Sequence, residues 1–150
     1  MNHASPRLNV PTRSFTQLLS ATRRGARLAR LLGVTELRSW GAPRNLTERA
    51  EAVVAELAAN AVLHGHVPGR CFRLTLVFDP PAGRLRVEVS DARGDLCPEI
   101  TTGTPGADAL RLGGRGLTLV TALADRWDCL PYPPSGKTVR AVLSAPAAEA

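Results

Sequence analysis

The chain has 150 residues, enough for one domain with a real core, and no apolar run approaches the ~20 residues that a bilayer span requires. Its net charge of +6 comes largely from arginine, but aromatics make up only 4% and no basic run is interleaved with stacking residues. Charge is thus the sole argument for a nucleic-acid partner, and an acidic protein partner explains it equally well. Cys71, Cys97 and Cys129 are odd in number, far apart and form no C-x-x-C pair. Neither a zinc site nor a disulfide framework is therefore expected, and a reducing cytoplasm is the expected setting.

Residues 1–11 read as a flexible N-terminus, without the charged start and apolar core of a signal peptide. A single domain is expected over 12–145, followed by a flexible alanine-rich tail at 146–150. Residues 13–20 fit a short edge strand. From Thr22 to Gly41 a helical period appears, with Ala26, Ala29, Leu32 and Leu37 set against Arg23, Arg24, Arg27, Arg30 and Arg38. Ser20 or Thr22 can cap its start, and Gly41-Ala42-Pro43 ends it. Its arginines form either a solvated face or a docking surface for another protein.

A second helix is expected over 47–64, capped by Asn45 or Thr47 and stopped by the Gly65–Gly69 stretch. Residues 71–78 alternate as a strand, with Phe72, Leu74, Leu76 and Phe78 on one face. Residues 84–90 alternate again across the Asp79-Pro-Pro-Ala-Gly83 turn, which predicts an antiparallel hairpin. Residues 92–114 lack strong periodicity and hold seven glycines and prolines. Loops of that length in a compact domain are usually functional lids or disordered. Residues 108–112 can form a helical turn within it. Gly113-Gly114-Arg115-Gly116-Leu117 opens an apolar helix reaching Ala124 or Trp127. A strand starts near Trp127, and 137–143 form the last one. The expected fold is α+β, a two-layer sandwich in which helices lie on one face of a mixed, mostly antiparallel sheet.

Four features carry chemistry. Glu56, Asn60 and His64 stand at i, i+4, i+8 and share one helical face among small and apolar neighbours, where an acid and an amide need a reason. The glycines at 113, 114 and 116 precede a helix, whose free N–H groups attract phosphate. This is neither a P-loop, since G-x-x-x-x-G-K-[ST] is absent, nor a Rossmann fingerprint, since no strand leads into it. Asp91 ends a strand beside a glycine-containing turn, either as a turn or capping aspartate or as an acceptor for an exocyclic amine. Gly136-Lys137-Thr138 is either a turn entering a strand or a hydroxyl near a phosphate.

In that order, Glu56-x-x-x-Asn60-x-x-x-His64-Gly65, Ser90-Asp91-Ala92-Arg93-Gly94, a lid, Gly113-Gly114-Arg115-Gly116-Leu117 and Gly136-Lys137-Thr138 resemble the GHKL ATP-binding family with its Bergerat fold. The resemblance covers roughly residues 14–145. The Asn-Ala-x-x-His-Gly ending and the short length are similar to the stand-alone anti-sigma factor serine/threonine kinases. The resemblance implies ATP and Mg²⁺ as ligands, with Asn60 holding the ion and Glu56 acting as general base. It implies Asp91 as the acceptor of the adenine amine, and Gly94, Gly113, Gly114, Arg115, Gly116 and Leu117 around the nucleotide. Thr138 would stand in the adenine-side network or at the lid hinge. His64 would touch the phosphates or the lid, or cap the helix end. The family's first glycine box, Asp-x-Gly-x-Gly, here reads Asp91-Ala92-Arg93-Gly94-Asp95, so Arg93 and Asp95 can alter lid geometry or narrow the adenine pocket.

The implied function is a cytoplasmic regulatory kinase that phosphorylates a serine or threonine on an antagonist protein and sequesters a sigma factor or similar regulator. A homodimer is compatible with it, and no membrane is involved. The first alternative is a catalytically inactive ATP-binding interaction module. The second is a basic nucleic-acid-binding regulator, which rests on charge alone.

Overall fold

A computed structural model describes residues 10–64, 67–96 and 115–145. The chain runs β1 (Arg13–Ser20), α1 (Arg23–Ser39), α2 (Arg44–His64), β2 (Cys71–Asp79), β3 (Arg84–Asp91), a 3-10 turn at Gly94–Leu96, α3 (Arg115–Leu123), β4 (Arg126–Tyr132) and β5 (Gly136–Ser144). The five strands form one sheet in the order β1-β2-β3-β5-β4, and all four pairings are antiparallel. The expected two-layer α+β architecture is therefore present, with a purely antiparallel sheet among the described strands. The expected turn at 108–112 lies outside the described residues.

Period-two patterning explains the sheet. In β2, Phe72, Leu74, Leu76 and Phe78 are buried while their neighbours are not. In β3, Leu85, Val87 and Val89 are buried, and in β5, Val139, Ala141 and Leu143. The apolar face meets Ala29 and Leu37 of α1, Leu46, Val53, Val54, Leu57, Ala58 and Ala61 of α2, and Val120 of α3 in one core. No helix among the described residues packs on the other face of the sheet.

Local chemistry sets the helix ends. The Gly25 N–H donates to Thr22 Oγ1 at 3.0 Å, so Thr22 is the N-cap of α1. Gly41, at φ +71°, turns the chain out of α1. α2 starts at Arg44, three residues ahead of the expected start. The Thr47 N–H and Thr47 Oγ1 both donate to the Pro43 carbonyl, at 2.9 and 3.1 Å, so the helical ladder already begins at the proline. Asn45 and Thr47 therefore lie inside the first turn instead of capping it. α3 ends at Leu123, and Arg126 already belongs to β4. Trp127 anchors the junction, its Nε1–H donating to Thr121 Oγ1 at 2.7 Å. Cys129 on β4 is disulfide-bonded, against the expectation from cysteine spacing, while Cys71 is free and exposed. Linear spacing carries no information on which strands meet in space. No helix among the described residues is long and apolar enough to cross a membrane.

Candidate functional site

α2 is bound on one side to the sheet and on the others to α1 and α3, which leaves one stripe near its C-terminal end half-buried. Glu56, Asn60 and His64 all lie on that stripe. The three glutamates of α2 outside its last turn differ in how they are used. Glu48 accepts from Arg44 at 3.1 Å, and Glu51 accepts from Arg30 of α1 at 2.9 Å. Among the described residues, neither Glu56 nor Asn60 spends its side chain on a hydrogen bond or ion pair. A carboxylate and a carboxamide oxygen one turn apart, both unspent, are hard oxygen donors of the kind that suits Mg²⁺. The residues present thus fit a magnesium–phosphate group, with Asn60 as its ligand.

Asp91, the last residue of β3, is only 6% exposed, and it stands on the helix-facing side in line with Val87 and Val89. Its cross-strand partner in the register is Lys137 of β5, which is 1% exposed. Lys137 Nζ donates to Asp91 Oδ1 and to the Arg93 carbonyl, both at 3.0 Å, and forms an ion pair with Asp91 Oδ2 at 2.9 Å. The Arg93 N–H donates to Asp91 Oδ1 at 2.8 Å, an Asx-type turn that starts the 3-10 segment. Lys137 is the chain's only lysine. An ammonium carries three N–H donors on a flexible stem, and three acceptors converge here; the planar fork of arginine does not match that arrangement.

Two glycines make this corner tight. The Gly94 N–H donates to the Ser135 carbonyl at 2.8 Å, and a Cβ on Gly94 would lie 2.6 Å from the Gly136 carbonyl oxygen. A Cβ on Gly136 would run into the Asp91 carbonyl oxygen. Arg93 and Asp95, which replace the glycines of the expected box, form an exposed ion pair. Arg93 Nε and Nη2 donate to the Asp95 carboxylate, both at 2.9 Å. The hydrogen bond from Arg93 holds the Asp95 carboxyl below its ordinary pKa, and the same bond raises that of Arg93.

Successive strand residues alternate faces, so Thr138 points to the opposite side of the sheet from Asp91, where its hydroxyl meets Ser90 Oγ at 2.6 Å. Lys137 is the residue of this turn that pairs with Asp91. The signal for it was available in the period-two spacing of Lys137 with Val139, Ala141 and Leu143. Leu117 is buried in the first turn of α3. Arg115 and Gly116 begin that helix, and Gly113 and Gly114 lie outside the described residues. The structure thus places Glu56 and Asn60 together on α2, and joins Asp91 to the Gly94 turn and to β5.

Two concavities of about 470 and 350 Å³ open elsewhere. One is lined by Arg84, Arg86, Arg126 and Arg140, the other by Arg70, Arg73 and Tyr132 with the edge of Asp91. Neither includes Glu56 or Asn60.

The model of the histidine kinase-like ATPase domain matches residues 19–143. The chain belongs to that family. The histidine kinase-like ATPase fold is also found in the solved structure of the RsbU and RsbW domains of Rv1364c from Mycobacterium tuberculosis. That structure is 22% identical with a TM-score of 0.64, over 91% of this chain and 34% of that one. A second is the SiaB–SiaC complex from Pseudomonas aeruginosa, 13% identical with a TM-score of 0.60, over 86% of this chain and 88% of that one. The chain spans about a third of the length of the first of these. No curated protein matches. A histidine kinase-like ATPase domain implies ATP as the ligand.

Proposed function

We propose that this chain is a regulatory kinase of the anti-sigma type, which binds Mg-ATP between α2 and Asp91 and phosphorylates a serine or threonine of an antagonist protein. It works in the cytoplasm and holds a sigma factor or a comparable regulator in the alternate state. The observation that carries this reading is the unspent pair Glu56 and Asn60, on a helix whose other early glutamates are engaged by arginine. The two similar structures, one of RsbU and RsbW domains and the other a SiaB–SiaC complex, support a protein partner.

Asn60 offers its carboxamide oxygen to the ion, which when bound offsets phosphate charge. Glu56 takes the proton of the attacking hydroxyl on its carboxylate. The hydroxyl oxygen forms a bond to the γ-phosphorus, the bond from that phosphorus to the β,γ-bridging oxygen breaks, and ADP departs. Asp91 accepts a hydrogen bond from the adenine amine. Gly94 and the glycines at 113, 114 and 116 line the nucleotide, with Arg115 and Leu117 at the start of α3. Thr138 supports the corner from behind through Ser90.

A second reading, an ATP-binding interaction module without catalysis, draws on the Arg93–Asp95 pair in the glycine box and on the occupied carboxylate of Asp91. Phosphoryl transfer separates the two. With radiolabelled ATP and the co-purified antagonist, the wild type is expected to label a serine or threonine. Glu56→Ala is expected to retain nucleotide and lose labelling by about 100-fold or more, the scale of a general-base contribution. A wild type that binds ATP yet labels no partner leaves the module reading in place.

A further inference from the structure

We propose that Lys137 sets the base specificity of the nucleotide site, and that its ion pair with Asp91 makes the site nearly indifferent between 6-amino and 6-oxo purines. This deepens the reading of Asp91 as base acceptor and rests on it.

A lone buried carboxylate discriminates sharply. It accepts from an exocyclic amine and repels a carbonyl oxygen placed at the same point, because both are electron-rich. The carboxylate here is not alone. Asp91 is 6% exposed, and its charge is met within 3.0 Å by an ammonium that is 1% exposed. Oδ1 already receives two donors, Lys137 Nζ and the Arg93 N–H, and Oδ2 lies 2.9 Å from the same ammonium in the ion pair. Of the roughly four acceptor positions on a carboxylate, about two are left, both on Oδ2 beside the ammonium. An adenine amine that reaches Oδ2 meets an acceptor whose charge is already balanced, so the bond gains little from ionisation. A 6-oxo group meets a pair of zero net charge, so the repulsion that would exclude it is weakened.

Lys137 does not replace this discrimination with one of its own. Two of its N–H groups donate to Asp91 Oδ1 and the Arg93 carbonyl, and its charge is balanced by the carboxylate, with Oδ2 2.9 Å away, so little of that charge is left to attract a purine carbonyl. The pair is also held in place. β3 and β5 are in register at Asp91 and Lys137, and the lysine, 1% exposed, also donates to the Arg93 carbonyl of the turn.

Titration calorimetry with Mg-ATP and Mg-ITP on the full chain tests this, since inosine differs from adenosine in carrying a 6-oxo group for the 6-amino group. The wild type is expected to bind the two within about threefold of each other. Lys137→Thr, which keeps a strand-compatible side chain and frees the carboxylate, is expected to favour ATP by about tenfold or more through a gain in ATP affinity. A wild-type preference for ATP of tenfold or more overturns the inference, as does a folded Lys137→Thr whose ratio equals that of the wild type. The wild-type ratio decides alone if the variant does not fold. Failure of the wild type to bind either nucleotide overturns the nucleotide-site reading itself and the inference with it, an outcome distinct from tight, adenine-selective binding.

Discussion

At the scale of single residues, the corner around Asp91 combines charge and close approach. Gly136→Ala places a methyl group against the Asp91 carbonyl, and the two strands must part to admit it. Overpacking of this kind costs about 1–3 kcal/mol, which chemical denaturation is expected to report. The Arg93–Asp95 pair lies at the surface and contributes to local order more than to global stability. Because the Asp95 pKa is lowered in the folded chain, its contribution is present above the ordinary carboxylate range and is lost as pH falls through the lowered value. NMR titration is expected to find Asp95 ionising below an ordinary aspartate, and Arg93→Ala is expected to return it to the ordinary range. The importance of Asp91 is legible in the sequence from its place at a strand end. The role of Lys137 is not, because pairing it with Asp91 requires the register of two strands 46 positions apart.

At the scale of elements, α2 does two jobs with two faces. Its apolar face supplies seven buried residues to the core, and its stripe at Glu56 and Asn60 stays accessible. Leu57, 2% exposed beside Glu56, is expected to cost about 2–5 kcal/mol on truncation to alanine, against about 0.5 kcal/mol or less for Glu56→Ala. Thermal unfolding that ranks the two in the opposite order would contradict this division of the helix. Element types follow from period: 3.6 in α1 and α2, and two in β2, β3 and β5. Element ends were less legible. The start of α2 depends on which carbonyl Thr47 bonds, and the end of α3 on where Trp127 anchors.

At the scale of the whole molecule, the described strands form an antiparallel sheet that carries helices on one face and joins residues 91–94 to residues 136–138. Amphipathic patterning makes the two layers legible, because each strand and helix must bury its apolar face. The order of strands is not, since β5 enters between β3 and β4 and no local signal specifies that insertion. The opposite face of the sheet is rich in arginine, with Arg84, Arg86, Arg126 and Arg140 around one concavity, where Arg140 pairs with Asp128 at 2.6 Å. The central claim is that Asn60 holds a magnesium–nucleotide complex against α2. Calorimetric titration of Mg-ATP into the wild type and into Asn60→Ala tests it most directly. The account predicts saturable binding by the wild type that requires magnesium, and no measurable binding by a folded Asn60→Ala; equal affinity in the two proteins would contradict it.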